Sequence, residues 1–156
     1  MRRPDYTNYF RLTHTITIMA TKPEEVIDAY VRCLEGDDIN IPLAREIWHT
    51  TNDATFIHPR GHERGWPEIE RNFFIGTMRD RLSNRKLQVR DISIHEHGDF
   101  AWAEFNWEFT ATFRHDRTPL HTQGRETQIM RRIGQEWRIV HVHYSGMRVT
   151  GEREGF

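Results

Sequence analysis

Apolar positions in the first half of the chain recur at three- and four-residue spacing; in the second half they alternate. Val26, Ile27, Tyr30, Val31 and Leu34 form one stripe of helical period, with Pro23 early in it and Glu24 and Glu25 in its first turn. Acids there complement the helix dipole, Thr21 is the candidate N-cap, and Gly36 ends the run. A shorter helix is predicted from Asp37-Asp38, carrying Ile41, Leu43, Ala44, Ile47 and Trp48. Residues 52–58 read as a short strand closed by Pro59 and Gly61. A third helix is predicted from about Pro67 to Leu82, burying Ile69, Phe73, Phe74, Ile75 and Met78.

Beyond Asn84 the period becomes two. Leu87, Val89, Ile92 and Ile94 belong to a strand that ends at His97-Gly98-Asp99, a hairpin signal. Residues 100–113 make a long strand and 115–119 a turn. Residues 120–132 make a third long strand, Gly134-Gln135 another hairpin, and W-R-I-V-H-V-H-Y-S-G closes the sheet. Helices followed by an antiparallel meander give an α+β domain with the helices on one sheet face. The domain is expected over 21–150, with a tail at 151–156. Thr13, Thr15, Ile16, Thr17 and Ile18 make residues 1–20 an N-terminal extension that could add a strand.

Composition narrows the function classes. With 37% apolar and 12% aromatic residues among 156, one domain must build its core from few, large side chains. A net charge of −1 provides no field that favours nucleic acid or an anionic membrane. Cys33 is the only cysteine, which excludes an internal disulfide and a cysteine-based zinc cluster. No apolar run is long enough to span a bilayer or to serve as a signal sequence, so a cytoplasmic location is expected.

Most of the ten histidines lie among polar neighbours. His58, in T-F-I-H-P-R-G, instead sits where a strand stops. His141 and His143 share one strand face; with a third ligand they could hold a metal, but the pair is equally a structural feature of a sheet. No metal and no cofactor are expected.

The order of elements, with Gly98-Asp99, Arg125-Glu126-Thr127 and Trp137 through Gly146, resembles the SnoaL-like, NTF2-like superfamily. That α+β cone is shared by ketosteroid isomerases, polyketide cyclases, scytalone dehydratase and limonene epoxide hydrolase. The word W-x-x-V-H-x-H-x-S-G is similar to the association domain of calcium/calmodulin-dependent protein kinase II and its stand-alone bacterial relatives. The resemblance implies three N-terminal helices packed on a curved, mostly antiparallel sheet, with a pocket between them. His58-Pro59 matches the place of the isomerases' catalytic Asp-Pro, Tyr30 that of their oxyanion tyrosine, and Gln128 that of their second oxyanion donor. His58, Tyr30 and Gln128 are therefore candidate catalytic residues, with Glu108 as a further acid or base.

Alignment to the association domains puts Trp102, Glu104, Asn106 and Glu108 on the pocket side. Phe105, Trp107 and Phe109 then face outward with His141 and His143. Candidate substrate contacts are Trp48, Trp66, Trp102, Glu104, Asn106, Glu126 and Tyr144. Positions that hold arginines in the association domains read Glu108, Gln128 and Tyr144 here, so a neutral hydroxylated or cationic substrate is expected rather than a carboxylate. The implied activity is cofactor-independent isomerase, dehydratase or cyclase chemistry by general acid/base catalysis, the alternative being a ligand-binding or oligomerisation module. The implied partners are a small molecule and a second copy of the chain, met through the convex sheet face; neither nucleic acid nor membrane is expected.

Overall fold

A computed structural model describes residues 19–147, so all but the last two residues of the extension expected at 1–20, the last residues of the domain and the tail expected at 151–156 lie outside the described residues. Helix α1 (Pro23–Leu34) and helix α2 (Ile41–Ile47) are followed by strands β1 (Thr55–His58) and β2 (Gly61–Arg64). One α-helical turn, α3 (Trp66–Glu68), runs directly into a π-helix, Ile69–Arg79. Four long strands complete the chain: β3 (Leu82–His97), β4 (Phe100–Phe113), β5 (Pro119–Ile133) and β6 (Glu136–Gly146). They form one six-stranded sheet in the order β2-β1-β6-β5-β4-β3, antiparallel except where β1 lies parallel to β6. The helices pack on one face of this curved, unclosed sheet, and a single apolar core fills the space between.

Local chemistry explains the element ends and several departures from the sequence reading. α1 is capped at Lys22, not Thr21. The Glu25 carboxylate reaches back to accept the backbone N–H groups of Thr21 (2.7 Å) and Lys22 (3.2 Å). α2 starts later than Asp37-Asp38: Asn40 caps it, its side-chain oxygen accepting the Leu43 N–H at 3.0 Å. β2 was not predicted, because Gly61-His62-Glu63-Arg64 has no apolar alternation; pairing with β1 alone makes it a strand.

Helix C-termini leave carbonyls without partners, and two arginines supply them. Buried Arg85 donates to Leu34 O (2.9 Å), Met78 O (2.8 Å) and Leu82 O (2.7 Å). Arg114 donates to Arg79 O (2.8 Å) and Asp37 O (2.8 Å). Together they tie the ends of α1 and the π-helix to the start of β3.

The face presented by β4 is the main correction. Ala101, Ala103, Phe105, Trp107, Phe109 and Ala111 are buried against the helices, while Trp102 and Glu104 are exposed and Asn106 and Glu108 half-exposed. Register leaves no freedom here: Ala103 stands opposite Gln128 and Phe105 opposite Glu126, so each pair shares a face. Residues one apart lie on opposite sides of the sheet, and the set with the larger apolar surface takes the core. Trp102 is accommodated outside, stacked on His95 (4.8 Å) and His97 (5.1 Å).

Candidate active site

Between the π-helix and the concave sheet face lies a cavity of about 270 Å³. Phe73 and Met78 of the π-helix and Leu82, Leu87, Trp107 and Phe109 of the sheet make apolar walls. The indole of Trp107 lies across Gly124, opposite it on β5, where any β-carbon would collide with the ring and with the Ser145 carbonyl. Glycine at this position is what lets so large a side chain shape the wall. The exposed Arg60 and Arg81 mark the rim.

The deep end is polar. Tyr30 on α1, Glu126 on β5 and Tyr144 on β6 all line the cavity. Gln128, fully buried one step along the same face, donates its amide N–H to Glu126 Oε1 at 2.8 Å, and the Tyr30 hydroxyl also hydrogen-bonds Glu126. Burial pushes the Glu126 carboxyl up to about 8, against the opposing pull of these two hydrogen bonds. Burial likewise raises Tyr30 well above the usual phenol range and Tyr144 to about 12, with nearby Glu126 adding to both. At neutral pH the deep end is therefore a neutral carboxylic acid between two neutral phenols. It can donate protons and hydrogen bonds.

His58 stands behind this group and does not line the cavity. Its Nδ1 accepts the Arg60 N–H (3.3 Å), which leaves the proton on Nε2, facing Glu63 Oε1 at 3.2 Å. Glu63 Oε2 in turn accepts from Asn72 Nδ2 at 2.6 Å. The imidazole stacks on Tyr144, ring centres 6.0 Å apart and planes 18° from parallel. With both nitrogens engaged, His58 braces Tyr144 and the turn that carries Arg60.

Of the other residues singled out from the sequence, Trp48 and Trp66 pack with Phe74 in the core away from the cavity. Glu104 is on the outer face; so is Glu108, which meets His121 at 2.7 Å, and Asn106, which donates to Asp91 at 2.8 Å. His141 and His143 are also on that face, His141 against the Thr55 hydroxyl at 2.6 Å. Among the described residues no three His, Cys, Asp or Glu side chains come together to hold a metal ion, and no helix is long and apolar enough to cross a membrane.

Residues 24–150 match the family of the SnoaL-like domain. The chain belongs to that family. Among solved structures, this SnoaL-like domain is 42% identical to an NTF2-like superfamily protein from Salmonella enterica, covering 85% of this chain and 93% of that one with a TM-score of 0.79. Two more distant likenesses show the shared fold. One is a candidate calcium/calmodulin-dependent protein kinase type II association domain from Thiobacillus denitrificans (20% identity, TM-score 0.64, 84% and 99% of the two chains). The other is a candidate ketosteroid isomerase from Shewanella frigidimarina (18% identity, TM-score 0.60, 78% and 92%). No curated protein matches the chain. The SnoaL-like/NTF2-like assignment made from sequence thus holds, as does the α+β cone.

Sequence reasoning missed the walls and the rim of the SnoaL-like cavity. The signal for Trp107 and Phe109 was present as the larger apolar set of β4. For Arg60 there was only its place after His58-Pro59, and nothing distinguished Arg81.

Proposed function

We propose that this SnoaL-like domain is a cofactor-independent enzyme that moves a proton on a small, largely apolar, oxygen-bearing substrate, by isomerisation or dehydration. The observation that supports this is Glu126, a carboxylic acid buried at the end of an apolar cavity and held by Tyr30 and Gln128. An acid kept neutral near working pH suits general acid/base catalysis, because it can give up and recover a proton at little cost. Volume supports a small substrate, since 270 Å³ falls just under the range of roughly 300–1,000 Å³ usual for drug-sized ligands.

In a dehydration, Glu126 protonates the departing hydroxyl as its C–O bond breaks, releasing water. The resulting carboxylate takes the proton from the adjacent carbon, the electrons of that C–H bond form the new double bond, and the acid is restored. In an isomerisation Glu126 gives its proton to the carbonyl oxygen and the resulting carboxylate takes the proton from the α-carbon, forming the enol and restoring the acid. The acid then protonates the far end of the dienol while the carboxylate recovers the enol O–H proton, leaving the carbonyl and a shifted double bond. Tyr30 and Gln128 stabilise the carboxylate whenever it is ionised. Tyr144, fixed by the His58 stack, is placed to donate to a substrate oxygen.

The test is turnover of a substrate found among hydroxylated and keto compounds. Glu126→Gln is expected to lower kcat by at least a hundredfold, in keeping with the ~10²–10⁴-fold usual for a general acid or base. Tyr30→Phe should lower it less and move the pH profile. Wild-type turnover in Glu126→Gln would sink the proposal.

A second reading, assembly, has its own observation. Phe100 (52% exposed), Trp102 (37%) and Ile129 (36%) stand on the outer sheet face, and such a patch favours covering by a second copy. The two readings are compatible.

A further inference from the structure

The rim of the cavity has a chemistry that the deep end does not explain. Arg60 lies just beyond the strand that ends at His58, and Arg81 just beyond the π-helix, yet both line the same opening. Among the described residues neither guanidinium has a hydrogen-bonding or ion-pair partner, whereas Arg45, Arg85, Arg114, Arg132 and Arg138 each hold a carboxylate or a carbonyl. Of the described residues, Glu126 is the only acid lining the cavity, and it is buried and engaged by Gln128 whereas both arginines are exposed, so no carboxylate of the lining pairs with the two cations. Apart from Thr77 and Thr122, the rest of the lining is hydrocarbon and aromatic ring.

We infer that the cavity takes an amphipathic carboxylic acid, with its carboxylate at the rim on Arg60 and Arg81, an apolar midsection against Phe73, Met78 and Trp107, and a hydroxyl or carbonyl oxygen at Glu126. This substrate class rests on the reading of the cavity as the active site, and it reverses the expectation of a neutral or cationic substrate. That expectation required Glu108 to face the pocket, and Glu108 faces the other side of the sheet. Two guanidiniums can each offer paired N–H donors to a carboxylate. A head group at the rim stays partly hydrated, so the arginines select for charge without the full desolvation penalty of a buried ion pair.

The experiment is binding by calorimetry with matched probes, 4-phenylbutanoate and its primary amide 4-phenylbutanamide, which differ only at the head group. The wild type is expected to bind the acid about tenfold more tightly than the amide at low ionic strength, a difference of ~1.4 kcal/mol. The preference should shrink in 0.5 M salt as screening grows. In the double variant Arg60→Gln/Arg81→Gln it should fall to about one, with affinity for the amide unchanged; the amide thereby certifies that the cavity is intact. Equal binding of both probes by the wild type, an acid preference that survives the double substitution, or no binding of either probe would each overturn the inference. Calorimetry needs no turnover, so its outcome is separate from that of Glu126→Gln, which tests the chemistry alone.

Discussion

At the scale of single residues, Glu126 links function to stability. Its folded-state value near 8 lies above the ordinary carboxylate value of 4.5, because burial disfavours the charged form. Below about pH 4.5 the carboxyl is protonated in both folded and unfolded chains and has no effect on their balance. Between 4.5 and 8 the folded chain binds more protons than the unfolded one, so stability declines as pH rises, and above 8 the loss is complete. A glutamine in place of the acid cannot ionise and escapes this loss. Glu126→Gln is therefore expected to melt at a higher temperature relative to wild type at pH 9 than at pH 5, read by thermal unfolding of both proteins at both values. A difference that is the same at the two pH values would mean that Glu126 ionises freely in the folded protein, and the acid–base proposal would lose its support. An active site that sacrifices stability at working pH is an ordinary consequence of keeping a polar group dry.

At the scale of elements, the turns matter as much as the strands. Arg85 holds the carbonyl ends of both α1 and the π-helix from a site with 3% exposure, just after Asn84, whose φ of 48° lies in the left-handed region. Arg85→Ala would strand three carbonyls at once and is expected to cost about 3 kcal/mol or more, at the upper end of what one lost buried partner brings. Urea unfolding would read it, and a loss under ~1 kcal/mol would show that water replaces the arginine easily. Little of this was legible in the sequence, since Arg85 reads as one more charged residue near a turn. Strand and helix order was legible, because periods of two and 3.6 survive in the apolar pattern. The inward face of β4 was legible as well, in Phe105, Trp107 and Phe109, but the family alignment pointed the other way and physics sided with the larger apolar area. The π-helix was not, since the stripe of Ile69, Phe73 and Met78 suits a helix of ordinary pitch nearly as well.

At the scale of the whole molecule, the sheet divides two tasks between its faces. The concave face holds the cavity, whose polar groups arrive from α1 and, far along the chain, from the β5–β6 hairpin. Tyr30, Glu126 and Tyr144 meet only through the fold, and sequence could name them individually without showing that Glu126 lines the cavity and His58 does not. The convex face carries Trp102 opposite Ile129 on neighbouring strands, with Phe100 beyond and polar Glu104, Asn106 and Arg125 on the same side. A second copy laid on that face would cover the apolar end and leave the polar part as a rim, the usual anatomy of a protein interface. Light scattering on the purified chain is expected to give at least twice the monomer mass, and Trp102→Arg with Ile129→Arg is expected to return it to monomer. Both substitutions lie on the side of the sheet away from the cavity, so the monomeric variant should still bind 4-phenylbutanoate as the wild type does. A wild type that stays monomeric at about 100 μM would remove the assembly reading. Loss of ligand binding together with the dimer would instead mean that the outer face helps to hold the cavity's shape, and the two faces would have to be treated as one device.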